Sequence, residues 1–295
     1  MNIYLHNPSH NGDHLFTLEM LKILIRDNLD KNFVIVPACS MYLFNDLLSD
    51  HVRIEKHPVI WDESKNVFLD NNLISNSHDI LWSTHDGNIY INMWKLLIHN
   101  NHNCISLANR VLFIKNTLHE IYEKTNIHIN FNCEDYKELI PILPTIDIDN
   151  IKDKLNQYNK KLVFFYNQDS KSGCETFYIK NFNEETIKKL LHIYGEDYII
   201  LLSKPCNIKN KRLINVEDEF NVKPSVDGKN LIINANIANL CDEVYFKANG
   251  GSLFLLNQIH INNSKQKLKY HYLGANNYYD IIINEYELRC SYNSL

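Results

Sequence analysis

The chain has 295 residues, of which 45% are hydrophobic and 22% charged, and a net charge of −5. That apolar share excludes a disordered or fibrous chain. Thirty basic residues against thirty-five acidic ones argue against nucleic acid as a partner, because non-specific binding of that kind needs a dominant positive field.

The first half of the chain alternates short apolar runs with helix-period segments. Ile3–Leu5 reads as a strand and Leu15–Leu29 as a helix with apolar residues at 15, 18, 21, 24 and 25. Phe33–Val36 is the next strand, Met41–Leu48 a short helix, and Asp79–Trp82 a later strand. Ile91–Ile98 and Ser106–Tyr122 read as helices. Pro141 and Pro144 then stop regular structure, and Asp149 is expected to cap a helix that starts near Asn150.

In the second half, Lys161–Tyr166 is a strand and Glu184–Tyr194 a helix that Gly195 closes in the left-handed conformation. Tyr198–Leu202 and Leu213–Val216 are strands, Leu231–Leu240 a helix, Glu243–Phe246 a strand, Ser252–Ile259 a helix and Lys269–Leu273 a last strand. Such alternation predicts an α/β fold with largely parallel sheets. The proline pair divides it into two Rossmann-like domains, 1–145 and 146–295.

The seven cysteines are scattered and form no C-x-x-C pair, the pattern of reduced thiols in a cytoplasmic protein. The opening MNIYLHNPSHNGDH lacks a basic segment followed by an apolar one, so no signal peptide is expected. No apolar run approaches the ~20 residues that span a bilayer.

Only 8 glycines occur, and five of them fall in segments that follow predicted strands, where α/β folds bind ligands. Asn11-Gly12-Asp13-His14 opens the first helix. There Asp13 is either a plain N-cap or a carboxylate kept ionised by the helix terminus and able to take a proton from a hydroxyl. Lys247-Ala-Asn249-Gly250-Gly251-Ser252 follows the strand Glu243–Phe246. Its paired glycines allow backbone N–H groups to face a phosphate, with Lys247 adding charge; the alternative is an ordinary turn capped by Ser252.

The loop Asn167-Gln-Asp-Ser170-Lys171-Ser-Gly173 could cover the same phosphate or be a solvated turn. Ser83-Thr84-His85-Asp86-Gly87 could line the opposite wall or be a polar turn. His6, His10 and His14 recur every fourth residue, yet Pro8 and Gly12 break any helix that would give them a common face. With His85 and Asp86 they leave a metal-dependent hydrolase as an alternative. Asp147-Ile-Asp149 is a D-x-D pair, but it lies in the proline-bounded linker and is better explained by capping.

Two of these segments resemble GT-B glycosyltransferases, most closely the heptosyltransferase-like family with ADP-heptose donors: Gly12-Asp13-His-Leu-Phe-Thr17-Leu and Asn236 through Ser252. The resemblance implies two Rossmann-like domains facing a central cleft, with an acceptor-side first domain and a donor-binding second one. It implies Asp13 as catalytic base, and a donor nucleotide-sugar held by Gly12, Asn167, Ser170, Lys171, Lys247, Asn249, Gly250, Gly251 and Ser252. His14, His85 and Asp86 would lie near a glycan or other hydroxyl acceptor. No metal or cofactor is expected beyond the donor, and the transfer is expected to invert the anomeric centre. A non-catalytic nucleotide-sugar-binding module is the other reading. Where the family usually has an Asp-Ser-Gly-Pro loop followed by His, this chain has Asn249-Gly250-Gly251-Ser252, so the donor sugar and nucleotide stay open.

Overall fold

A computed structural model of the chain describes residues 1–7, 11–56, 60–62, 67–69, 82–85, 87–93, 107–125, 127, 140–168, 182–246, 250–257, 259, 269–272 and 290–292. The chain divides into two units, Met1–Pro144 with Val226–Gly228, and Thr145–Ser225 with Lys229–Leu295.

In the first unit, β1 (Asn2–Asn7) alternates strictly, burying Ile3, Leu5 and Asn7 and leaving Tyr4 and His6 partly exposed. It is followed by α1 (Asn11–Arg26), β2 (Asn32–Pro37), a 3-10 turn (Met41–Leu47) and β3 (Val52–Ile54). A separate antiparallel pair comprises β4 (Ile60–Asp62) and β5 (Val67–Leu69). The unit continues with β6 (Trp82–His85), β7 (Asn88–Asn92) and α2 (Leu107–Thr125).

The main sheet runs β3-β2-β1-β7-β6, parallel except for the edge strand β6, which forms an antiparallel hairpin with β7. β2 buries five consecutive residues from Phe33 to Pro37, the mark of a parallel strand covered on both faces. Leu15, Leu18, Leu21 and Leu24 on α1 add to the same unit's core.

The second unit is built from α3 (Asp149–Gln157), β8 (Lys161–Tyr166), α4 (Phe182–Ile193), β9 (Tyr198–Leu202) and β10 (Leu213–Asn215). The chain then forms α5 (Val216–Glu219), α6 (Lys229–Ala238), β11 (Glu243–Phe246), a 3-10 turn (Ser252–Leu255), β12 (Lys269–Tyr272) and β13 (Cys290–Tyr292). Its six strands are all parallel, in the order β10-β9-β8-β11-β12-β13. Val163, Phe165, Ile187, Leu190, Ile200, Leu202 and Tyr245 pack into one core cluster.

Several expectations from sequence need correction. Ile91 and Asn92 belong to strand β7 rather than to a helix, because Ile89 and Ile91 are buried while Asn88 and Tyr90 are not, a period of two. Trp82–His85, of which Ser83–His85 were expected in a loop, is a strand; Gly87, at φ 71°, turns the chain into β7. Residues 79–81 and 94–106 lie outside the described residues.

Gly195 is not left-handed. Carbonyls at and just beyond the end of α4 are instead taken by Arg212, which donates to the oxygens of Leu191 at 2.8 Å, Gly195 at 2.9 Å and Tyr194. Asp149 is the first residue of α3 rather than its cap, a position held by Ile148 with no side-chain cap bond, and the carboxylate of Asp147 accepts the Asp149 N–H at 2.9 Å. The helix expected over Ser252–Ile259 is a 3-10 turn that ends at Leu255. Beyond it Asn257 uses its side chain on local backbone, donating to Phe254 O at 2.8 Å and accepting from Ile259 N–H at 3.1 Å. The strands β3, β4, β5 and β13 were not anticipated.

Candidate functional site

Both parallel sheets have a switch point, where the chain crosses from one side of a central strand to the other. In the second unit the strands, counted from β8, run 3-2-1-4-5-6, the order of doubly wound nucleotide-binding folds. The switch lies between β8 and β11. Tyr166 of β8 pairs with Phe246 of β11, so the chain after Tyr166 and the chain after Phe246 leave from the same rung of neighbouring strands. In the first unit the switch lies between β1 and β7, and α1 starts at Asn11 after the carboxyl end of β1. In folds of this kind ligands bind beyond the carboxyl ends of the strands at the switch.

Gly12 and Asp13 are the second and third residues of α1, where backbone N–H groups have no partner within the helix. Gly12 is buried; the Asp13 side chain lies outside what is described. His14 corrects an expectation. It is 0% exposed, with its ring edge-on to Phe44 at 6.0 Å, and so belongs to the core rather than to an acceptor surface.

His85 is corrected as well. It pairs with Asn88, and Ile89 is level with Ile3, so His85 stands at the amino-terminal edge of the parallel strands. Asn7, at the other edge, is roughly 16 Å away by strand rise. A β-hairpin reverses direction, which carried this segment to the wrong end of the sheet. Asp86 lies outside the described residues.

Asn167 directly follows β8 and is 2% exposed. Its side-chain oxygen accepts from Ser203 Oγ at 3.0 Å and from Lys204 N–H at 2.8 Å, while its Nδ2 donates to Lys204 O at 2.9 Å. Its own N–H donates to Ser203 Oγ at 3.0 Å, and its carbonyl accepts from Asn183 Nδ2 at 3.0 Å. The carboxamide therefore fastens the end of β8 to the end of β9, which fixes where the following loop departs. Ser203 and Lys204, which share this network, were not picked out from sequence; a polar pair directly after an apolar strand was the available signal.

Ser170, Lys171, Lys247 and Asn249 lie outside the described residues. Gly250 and Gly251 form a turn, Gly251 is the cap, and Ser252 is the buried first residue of the 3-10 turn. A turn of four residues carries little macrodipole, so the backbone N–H groups of this segment, not a helix field, are what it can offer an anion.

The histidine alternative gains nothing from the geometry. His6 lies beside Tyr4 at 6.2 Å and Tyr90 at 5.9 Å, two rings that stack on each other at 4.7 Å, whereas His14 lies against Phe44. Burial pulls the His6 imidazole down to about 4 against a smaller opposite pull from Glu55, so it is neutral at pH 7. His10 is outside the described residues, and no group of three His, Cys, Asp or Glu able to hold a metal occurs among the described ones.

Asn234 on α6 was missed by the sequence reading. It is 1% exposed, and neither of its amide atoms has a hydrogen-bond partner among the described residues.

No family model matches the chain, and no curated protein does. Solved structures do. The chain is similar to heptosyltransferases. E. coli heptosyltransferase WaaC with ADP-2-deoxy-2-fluoro heptose is 13% identical at a TM-score of 0.46, covering 94% of this chain and 90% of that one. The glycosyl transferase family 9 protein from Veillonella parvula DSM 2008 is 11% identical at a TM-score of 0.47, covering 98% and 84%. E. coli ADP-heptose lps heptosyltransferase II is 9% identical at a TM-score of 0.40, covering 94% and 86%. No helix among the described residues is long and apolar enough to cross a membrane.

Proposed function

We propose that the protein is a glycosyltransferase of GT-B type that moves a sugar from a nucleotide-sugar to an acceptor hydroxyl. The observation that carries this reading is the 3-2-1-4-5-6 order of the second unit's parallel sheet, whose switch point is flanked by the two polar segments that follow β8 and β11. The Gly12-Asp13 start of α1 at the first unit's own switch point supports it.

In the proposed reaction, Asp13 accepts the acceptor's hydroxyl proton as that oxygen attacks the anomeric carbon. The anomeric carbon–oxygen bond to the diphosphate breaks on the opposite face, which inverts the centre, and the electron pair leaves with the nucleoside diphosphate. The N–H groups of Gly250, Gly251 and Ser252, with Lys171 or Lys247, balance its charge, so no divalent metal is needed. In this reading the donor side is assigned to the second unit and the base to the first.

The test is Asp13→Asn. Transfer is expected to fall by roughly 100- to 10,000-fold, with nucleoside diphosphate binding within about twofold of the parent. Surviving activity, or binding lost together with activity, would show that Asp13 is not the base. A nucleoside diphosphate at about 100 times its Kd should stabilise the protein by about 2.7 kcal/mol. If none of the common ones raises Tm, the nucleotide reading fails.

A further inference from the structure

Ser40, at the end of the loop after β2, is a non-glycine residue in the left-handed region, with φ 54° and ψ 32°. A side chain disfavours that conformation, and it persists only where the surroundings fix it. Here they do so from several sides. The Ser40 N–H donates to Val226 O at 2.9 Å, and the neighbouring Tyr42 N–H donates to Asp227 O at 2.8 Å. The Ser40 carbonyl accepts from Leu43 N–H at 2.9 Å. Its hydroxyl donates to the side-chain oxygen of Asn11, the first residue of α1.

Gly228 completes the arrangement. It has φ 74°, and a Cβ placed on it would lie 2.8 Å from both Ser40 Cα and Ser40 Oγ. Only a glycine lets the Val226–Gly228 strap close over Ser40. That strap reaches the first unit from sequence that otherwise belongs to the second. A glycine at position 40 would adopt the same backbone without strain, so what serine adds there is the hydroxyl, and the hydroxyl goes to Asn11.

We propose that Ser40, held under the Gly228 strap, is a positioning residue that fixes the first turn of α1 through Asn11 and thereby sets the place of Asp13. The catalytic part of this inference rests on the glycosyltransferase reading; the mechanical part does not. Asn11 is two residues from Asp13, and a misplacement of about 1 Å at a reacting group can cost on the order of 100-fold in rate.

The experiment is amide hydrogen exchange together with transfer kinetics on Ser40→Gly, Asn11→Ala and the double variant of the full chain. Ser40→Gly removes the hydroxyl while easing the backbone, so the fold is retained. The amides of Leu15, Phe16 and Thr17, the first that a helix starting at Asn11 can bond internally, should exchange roughly tenfold faster in each single variant. The double variant should exchange no faster than either single one, because both act through one bond. Amides in the last turns of α1 should not change.

In transfer assays kcat should fall by about 10- to 100-fold, with the donor KM within about twofold. Unchanged exchange in Ser40→Gly, or losses that multiply in the double variant, would overturn the positioning role. A fall confined to KM would overturn its link to Asp13. Faster first-turn exchange in a protein that transfers no sugar would uphold the clamp and refute the glycosyltransferase reading instead.

Discussion

Single residues carry two consequences that do not depend on the activity. His6 is held near a pKa of about 4 by burial beside Tyr4 and Tyr90. Unfolded, it titrates near 6.5, so between those values the unfolded chain binds more protons and stability falls as pH drops from about 6.5 to about 4. At its full extent the effect is about 3 kcal/mol. Denaturant titrations across that range should show this slope, and His6→Phe should flatten it. Gly228→Ala places a methyl group against the Ser40 backbone at a positive φ. It should cost at least about 2 kcal/mol in the same titrations, whereas Gly195→Ala, whose added methyl meets nothing, should cost far less.

Elements reveal where local rules gave way to partners from elsewhere in the chain. The end of α4 looked like a glycine stop, yet Arg212, seventeen residues beyond Gly195, covers its carbonyls. A charged donor shared among three carbonyls is worth more than a left-handed turn, so Arg212→Ala should lower stability by about 2–3 kcal/mol. Arg212→Lys, without the forked donor geometry, should recover only part of it. On α6, Asn234 sits among the buried Leu231, Ile232, Ala235, Ile237 and Ala238 with its amide unbonded among the described residues. Asn234→Leu is therefore expected to raise stability by about 1–2 kcal/mol, read as a higher Tm; a fall would mean that the amide has an essential partner.

The helix boundaries missed from sequence have the same cause. The side chain of Asn257 competes with backbone bonding at the end of the 3-10 turn. Asp149 starts α3 instead of capping it, and its N–H is taken by the Asp147 carboxylate. The linker Ile140–Pro144 is fastened to α1 by Glu19, which accepts from Ile142 N–H at 3.2 Å, and by Lys22, which donates to Ile142 O at 3.2 Å. Prolines could signal the break in regular structure but not these attachments.

At the scale of the whole molecule, the proposal makes both segments at the second unit's switch point answer one ligand. Addition of a nucleoside diphosphate should slow amide exchange in Asn167–Gln168 and in Gly250–Ser252 together, and leave the amino-terminal ends Lys161 and Glu243 unchanged. Protection at only one of the two segments would contradict a shared phosphate site.

The amino-acid sequence by itself determined the α/β class, the strands Lys161–Tyr166, Tyr198–Leu202 and Glu243–Phe246 to the residue, and the Gly12-Asp13 start of a helix after the first strand. Those are local features, written in runs of β-branched and aromatic residues and in helical periodicity. Only the tertiary structure decided the strand order, the burial of His14, the removal of His85 to the far edge of the sheet, and the strap that brings Gly228 onto Ser40. Each of these turns on which distant residues become neighbours, and that is settled by packing and strand pairing over the whole chain rather than by the pattern within any one segment.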